Sequence, residues 1–222
     1  MTYTYKYPHP AITTDVVIFT VRTEKLEVLL IRRKIEPFKD SWAIPGGFLD
    51  MDEDLDTCAA RELQEETGIL DVYLEQLYTF GKVGRDPRER VVSVAYFALA
   101  PMQDQTIRAG DDAAETGWFD VDDLPNLAFD HQNILTLARQ RLADKMEYST
   151  VGLQLMPDEF TLTRLQQVYE TASGQPRDKR NFRKWILALD LLQETGTMLA
   201  QGAYRPAKLY RVKDRTKIEI IK

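Results

Sequence analysis

Gly46-Gly47, Glu53, Arg61-Glu62 and Glu65-Glu66 stand close enough along the chain to do chemistry together. Residues 54–67 hold neither Pro nor Gly and read as a helix, and Gly68 suits its C-terminal cap. On such a helix Glu62 and Glu66 lie one turn apart and Glu65 lies three residues from Glu62. Three carboxylates therefore crowd one face, with Glu53 entering from the preceding loop. Like charges at this spacing repel, and a hard divalent cation with oxygen ligands offsets that repulsion. Such an ion can neutralise a diphosphate, polarise a phosphorus–oxygen bond and lower the pKa of a bound water. Gly46 and Gly47 permit a tight turn that leaves backbone close to metal and phosphates. Leu55, Ala59 and Leu63 offer an apolar anchor on the other side. Without the flanking Gly and Arg, the same glutamates would read as a solvated acidic face.

These residues need a frame. Ile12–Val21 and Leu26–Arg32 are apolar, β-branched runs separated by Thr23-Glu24-Lys25, which fits a hairpin. Tyr73–Phe80 and Val91–Ala100 are further strand candidates. Asn133–Lys145 carries Ile134, Leu137, Ala138 and Leu142 at helical spacing and closes a first domain, residues 1–147. A linker over about 148–157 follows from Gly152 and Pro157. The pattern then changes over 158–222. Leu162, Leu165, Val168, Tyr169 and Ala172 share one helical face. Gly174 and Pro176 break it, and Phe182, Trp185, Ile186 and Leu189 mark a second amphipathic helix. Strand-like runs at 197–199, 208–212 and 218–221 come after. Helix, short break, helix and β-hairpin is the order of a winged helix-turn-helix.

Charge divides along the same line. The chain carries −6, yet residues 176–222 hold six Lys, six Arg and five acidic residues, a net of +7 that leaves −13 for the rest. Two parts with different partners are expected. No apolar run is long enough to span a bilayer, so no membrane partner is expected, and the N-terminus lacks the form of a secretory signal. Cys58 is the only cysteine, which excludes an intrachain disulfide and fits a reducing cytoplasm. His9 and His131 are too few and too far apart for zinc.

The segment from Gly47 through Glu53 to Arg61-Glu62-Leu63-Gln64-Glu65-Glu66-Thr67-Gly68-Ile69 matches the Nudix signature without substitution. The resemblance implies an α/β/α sandwich around a mixed sheet, and hydrolysis of a nucleoside diphosphate linked to another moiety with Mg²⁺ or Mn²⁺. It implies Glu62 and Glu66 as metal ligands, with Glu65 binding or orienting a further metal or water. Arg61 would orient the glutamates, Glu53 would support the loop, and the Gly46 carbonyl could ligate. The general base stays open between Glu65 and a carboxylate of Asp111-Asp112-Ala113-Ala114-Glu115. That segment also reads as a surface loop with a helix-capping Asp.

Arg85-Asp86-Pro87-Arg88-Glu89-Arg90 follows the box, either as a hydrophilic hairpin or as arginines, Arg85 and Arg88 first, that meet phosphates. Thr79-Phe80-Gly81 through Val94 looks like Nudix proteins that bind ADP-ribose. Arg32 and Arg33 end a strand and could reach substrate, as could the backbone at Gly47. Phe38 and Trp42 could stack on a base, although core packing is their ordinary role.

In the second half, Lys179 with Arg183 and Arg180 with Lys184 are like-charged pairs that an anion would relieve. One cationic face opposite an apolar face containing Trp185 suits a recognition helix in the major groove, where Asn181 could read an adenine edge. Arg205, Lys208 and Arg211 would serve a wing at the DNA backbone. Phe160-Thr161-Leu162, Lys179-Arg180-Asn181-Phe182-Arg183-Lys184, Arg205-Pro206-Ala207-Lys208-Leu209-Tyr210-Arg211 and Asn126–His131 resemble the Nudix-related transcriptional regulators. That resemblance implies a homodimer on operator DNA, regulating NAD or sugar metabolism and answering a nucleotide-sugar such as ADP-ribose. Many such regulators have a degraded box, whereas every glutamate is present here, which favours retained pyrophosphatase activity. The alternatives are a ligand sensor without significant hydrolysis, and a pyrophosphatase whose C-terminal domain serves dimerisation.

Overall fold

The computed structural model describes residues 4–101, 113–200 and 206–221, and these cluster into two compact units. One contains residues 4–19, 27–98 and 113–138; the other contains 20–26, 99–101, 139–200 and 206–221. No helix among the described residues is long and apolar enough to cross a membrane.

Strands β1 (Ala11–Arg22) and β2 (Lys25–Arg33) form the expected hairpin. Thr23 and Glu24 turn it with φ of 42° and 64°. Two positive φ values give the turn the twist of its strands, here without the Gly or Asn that usually supplies them. Strands β3 (Trp42–Ala43) and β4 (Gly46–Phe48) precede helix α1 (Leu55–Thr67). Strands β5 (Tyr73–Phe80), β6 (Val91–Leu99) and β7 (Ala113–Asp120) lead to helix α2 (His131–Tyr148). The sheet runs β3-β2-β1-β6-β5, with β4 pairing β1 and β7 pairing β2. Strand β7 carries little signal, because Glu115, Thr116 and Gly117 interrupt any apolar alternation. Its antiparallel pairing with β2, from Glu27↔Asp120 to Arg33↔Ala113, supplies what propensity does not.

Helix α1 starts where its caps dictate. The Asp54 carboxylate accepts from Thr57 N at 2.8 Å, and Gly68, at φ 74°, donates its N–H to Gln64 O. Its buried side carries Cys58, Ala59 and Leu63, but also Glu62 and Glu66. Leu55, expected in the anchor, is only half-buried.

In the second unit, helices α3 (Leu162–Ser173) and α4 (Lys179–Ala188) precede the hairpin of β8 (Leu192–Leu199) and β9 (Ala207–Val212). Thr161 and Asp178 cap the two helices, and Gly174 ends α3 in the left-handed conformation. Leu165, Val168 and Tyr169 fill the core. The rings of Tyr169, Phe182 and Trp185 meet edge-on with centroids 5.3–5.5 Å apart. Residues 149–156, which fall in the expected linker, are buried in this unit and include a short 3₁₀ helix, Val151–Leu155. Arg215 holds them, donating to the carbonyls of Met156 and Pro157 at 2.8 Å each. The 218–221 run makes no long strand; Ile220 only bridges Ser149.

Candidate functional site

The acidic residues gather as their spacing demands. Arg61 is the hub: it donates to Glu53 at 2.6 Å, to Glu62 at 2.7 Å and to Glu65 at 3.1 Å. Its hydrogen bonds hold the Glu53 carboxyl well below the usual range, at about 2. Burial pushes Glu62 the other way, outweighing the pull of Arg61. Glu66 faces the preceding loop and accepts the Gly46 N–H at 2.7 Å. A side chain at Gly46 would drive into the Thr14 carbonyl, which is backbone and cannot yield, whereas one at Gly47 would require the Glu62 carboxylate to move. The Tyr96 hydroxyl donates to Asp56 at 2.6 Å and ties β6 to the first turn of α1.

Glu66, Gly46 and Gly47 form one wall of a cavity of about 220 Å³. Arg33, Arg85 and Arg88 line it too, whereas Arg32 does not. Arg32 instead donates to Asp40 O at 3.2 Å and lies 3.7 Å from Glu115. Glu115 is thereby placed on the β2–β7 edge rather than in the cavity, and Asp111 and Asp112 lie outside the described residues. Arg85 is not a mobile surface arginine. Its side chain is 4% exposed and forked onto Asp130 at 2.7 and 3.1 Å, with Asp15 at 3.4 Å. Arg88 reaches the rim, paired with Asp86 at 2.7 Å.

Several cavity residues escaped the sequence reading. Phe129 lies under two guanidiniums, its centroid 4.9 Å from Arg33 Cζ and 5.7 Å from Arg88 Cζ. Phe38 meets Phe129 edge-on, while Trp42 packs edge-on against Phe119, these last two rings both half-buried. Asp15 and His131 line the cavity wall. Asp15 carried one available signal: a charge at the head of the apolar run Val16–Val21 must be buried and paired.

A divalent cation suits the donor chemistry of this corner. Glu62 and Glu66 are buried carboxylates on one side of α1, beside a glycine cradle, and Glu62 pays for its charge in lost hydration. Glu65 is exposed and held on Arg61. Among the described residues no three acidic, His or Cys side chains converge as a ready-made metal cage.

In the second unit Lys179, Arg180, Asn181 and Lys184 are exposed along α4. Arg183 is half-buried and donates to Thr163 at 3.2 Å. On the hairpin, Lys208 is clamped to Glu194 at 2.8 and 2.9 Å, and Arg211 lies 3.2 Å from Glu159. Arg205 lies outside the described residues.

Residues 11–138 match the NUDIX domain family, and residues 152–212 match the NrtR DNA-binding winged helix domain. The chain is 40% identical over 211 residues to an ADPR responsive transcriptional repressor, NtrR, of Acinetobacter baylyi, covering 92% of this chain and 83% of that one. It is 38% identical over 129 residues to an ADP-ribose pyrophosphatase of Methanocaldococcus jannaschii, covering 58% of this chain and 73% of that one. The crystal structure of Shewanella oneidensis NrtR complexed with a 27mer DNA superposes with a TM-score of 0.82 at 37% identity, over 91% of this chain and 93% of that one. The expected fold, a Nudix domain followed by a winged helix, is borne out.

Proposed function

The chain belongs to the Nudix family, among its winged-helix transcriptional regulators, and from that premise we propose that it is an ADP-ribose-responsive repressor that also keeps pyrophosphatase activity. In this reading residues 1–147 hold the nucleotide and residues 158–222 hold operator DNA, with the chain acting as a homodimer.

One observation carries the proposal: an intact set of box carboxylates abuts a cavity that also contains three arginines. Glu62 and Glu66 would hold Mg²⁺ or Mn²⁺, with Glu65 and the Gly46 carbonyl as further ligands. The bound metal supplies charge neutralisation and Lewis acidity at the diphosphate. Arg61 keeps Glu53 and Glu62 oriented, Gly46 N–H fixes Glu66, and Arg33 and Arg88 present positive charge to the phosphates. Hydrolysis joins a water oxygen to one phosphorus while the bridging oxygen leaves with the other, giving AMP and ribose 5-phosphate from ADP-ribose. The ADP-ribose pyrophosphatase of M. jannaschii supports this choice of substrate.

The exposed cations of α4 would sit in the major groove, and differential affinity of the nucleotide for the DNA-bound and free states would release the operator. The experiment is phosphate-coupled turnover of ADP-ribose with Mg²⁺ or Mn²⁺ beside a panel of sugar nucleotides. Selective turnover lost in Glu66→Gln supports the full reading. Tight ADP-ribose binding without turnover reduces it to a sensor, and binding of neither kind removes it.

A further inference from the structure

We propose that Asp15 and His131 form a hydroxyl-reading subsite on the cavity wall, where a sugar hydroxyl of the bound nucleotide bridges carboxylate and imidazole from the cavity side. The inference rests on the reading that this cavity holds a sugar nucleotide, and it specifies which chemical group is selected there.

Asp15 is 7% exposed in β1, where it pairs in register with Gly46 beside the box. Its Oδ2 accepts from the Ser93 hydroxyl and faces Arg85 Nη2 at 3.4 Å, and Asp130 fixes that guanidinium. Its Oδ1 points instead at His131 Nε2 across 3.7 Å, beyond hydrogen-bond reach. His131 Nδ1 accepts the Ile44 N–H at 2.9 Å, so the ring proton sits on Nε2. Burial holds the imidazole below its usual pKa and keeps it neutral.

One acceptor and one donor thus face each other on the cavity wall, too far apart to satisfy one another. A hydroxyl both donates and accepts, and satisfies the pair at once. A phosphate oxygen would accept from His131 but be repelled by Asp15, and an ammonium would serve Asp15 while leaving the imidazole N–H unmet. The cavity, about 220 Å³, is smaller than the roughly 300–1,000 Å³ pockets that enclose whole ligands, and suits one ring of a larger molecule. Glu66 in the same cavity sets the diphosphate next to that ring. Either the nucleoside ribose or the linked ribose could supply the hydroxyl.

The test is calorimetric binding to the full chain of ADP-ribose, its analogue deoxygenated on the adenosine ribose, and its analogue deoxygenated on the terminal ribose. Removing the recognised hydroxyl should weaken binding about tenfold, and the analogue affected identifies the ribose. The discrimination should vanish in folded Asp15→Asn or His131→Gln. Equal affinity for all three ligands would overturn the subsite, since water would then satisfy the pair, while leaving nucleotide binding intact. Discrimination that persists in a folded variant would overturn it as well. Failure of ADP-ribose itself to bind would instead strike the underlying functional reading. The ligand series on the unaltered protein decides the matter even if both variants unfold.

Discussion

Arg61 Nη1 donates to Glu62 Oε1 at 2.7 Å, yet burial still leaves the Glu62 carboxyl harder to ionise than usual. The folded state therefore favours protonated Glu62, a contribution present at low pH and lost as pH rises through the folded-state value. A divalent cation should offset that loss. Thermal melts at pH 7 should show Tm raised by Mg²⁺ or Mn²⁺, and Glu62→Gln should lose that increment without lowering the metal-free Tm. A metal-free Glu62→Gln that melts well below the parent would contradict this. Glu53 behaves oppositely: held at about 2 by Arg61, it contributes stability above the unfolded value that is lost as pH falls. In Arg61→Ala, carboxyl NMR should show Glu53 titrating back toward the ordinary range.

Gly47→Ala places a methyl group against the Glu62 carboxylate. Accommodating it should cost about 1–3 kcal/mol by denaturant melts and displace a proposed metal ligand. The metal-induced rise in Tm should disappear while affinity for duplex DNA stays within twofold. Retained metal response would show that Glu62 is free to move and not placed by the glycine.

Arg85 and Arg88 stand three residues apart but should answer differently. Arg85→Ala leaves Asp130 and Asp15 without their buried partner and should destabilise the protein by about 3–5 kcal/mol. Arg88→Ala removes the half-exposed partner of buried Asp86 and should destabilise less than Arg85→Ala, while weakening ADP-ribose binding. Equal destabilisation by the two variants would overturn the distinction.

The cations of the second unit should also separate. Lys179, Arg180 and Lys184 are exposed on α4, so alanine at each should weaken duplex binding and lower the salt slope by about one. Lys208 is engaged by Glu194, so Lys208→Ala should matter less, and Glu194→Gln should strengthen binding by freeing it. Fluorescence anisotropy over a salt series reads both. A Lys208→Ala effect as large as that of Lys184→Ala would show that the Glu194 pair opens on DNA.

The contrast between Glu66 and His131 shows what was legible in the sequence. Glu66 belongs to a local pattern: its neighbours at fixed spacing announce both helix and chemistry, and α1 carries them as read. The α3–α4–hairpin order was readable for the same reason, since apolar periodicity and the Gly174 break are local. His131 and Phe129 matter because α2 begins beside Ile44 and Arg33, which are distant in sequence, and no local pattern encodes that meeting. Arg85 read either as part of a hydrophilic hairpin or as a phosphate contact, and its buried ion pairs were not legible because its partners, Asp15 and Asp130, lie 70 and 45 residues away. Strand β7 depends on pairing with β2 more than on its own composition. Residues 149–156 looked like a linker because the residues they meet, Tyr169 and Arg215 among them, are distant in sequence.

The most direct test of nucleotide-controlled DNA binding is capture of sheared genomic fragments on the immobilised full chain, followed by elution with ADP-ribose, ADP or no nucleotide. A small set of fragments carrying paired half-sites, released by ADP-ribose and not by ADP, is the predicted result. Fragments no more enriched than random DNA, or an enriched set that stays bound through ADP-ribose, would contradict the account.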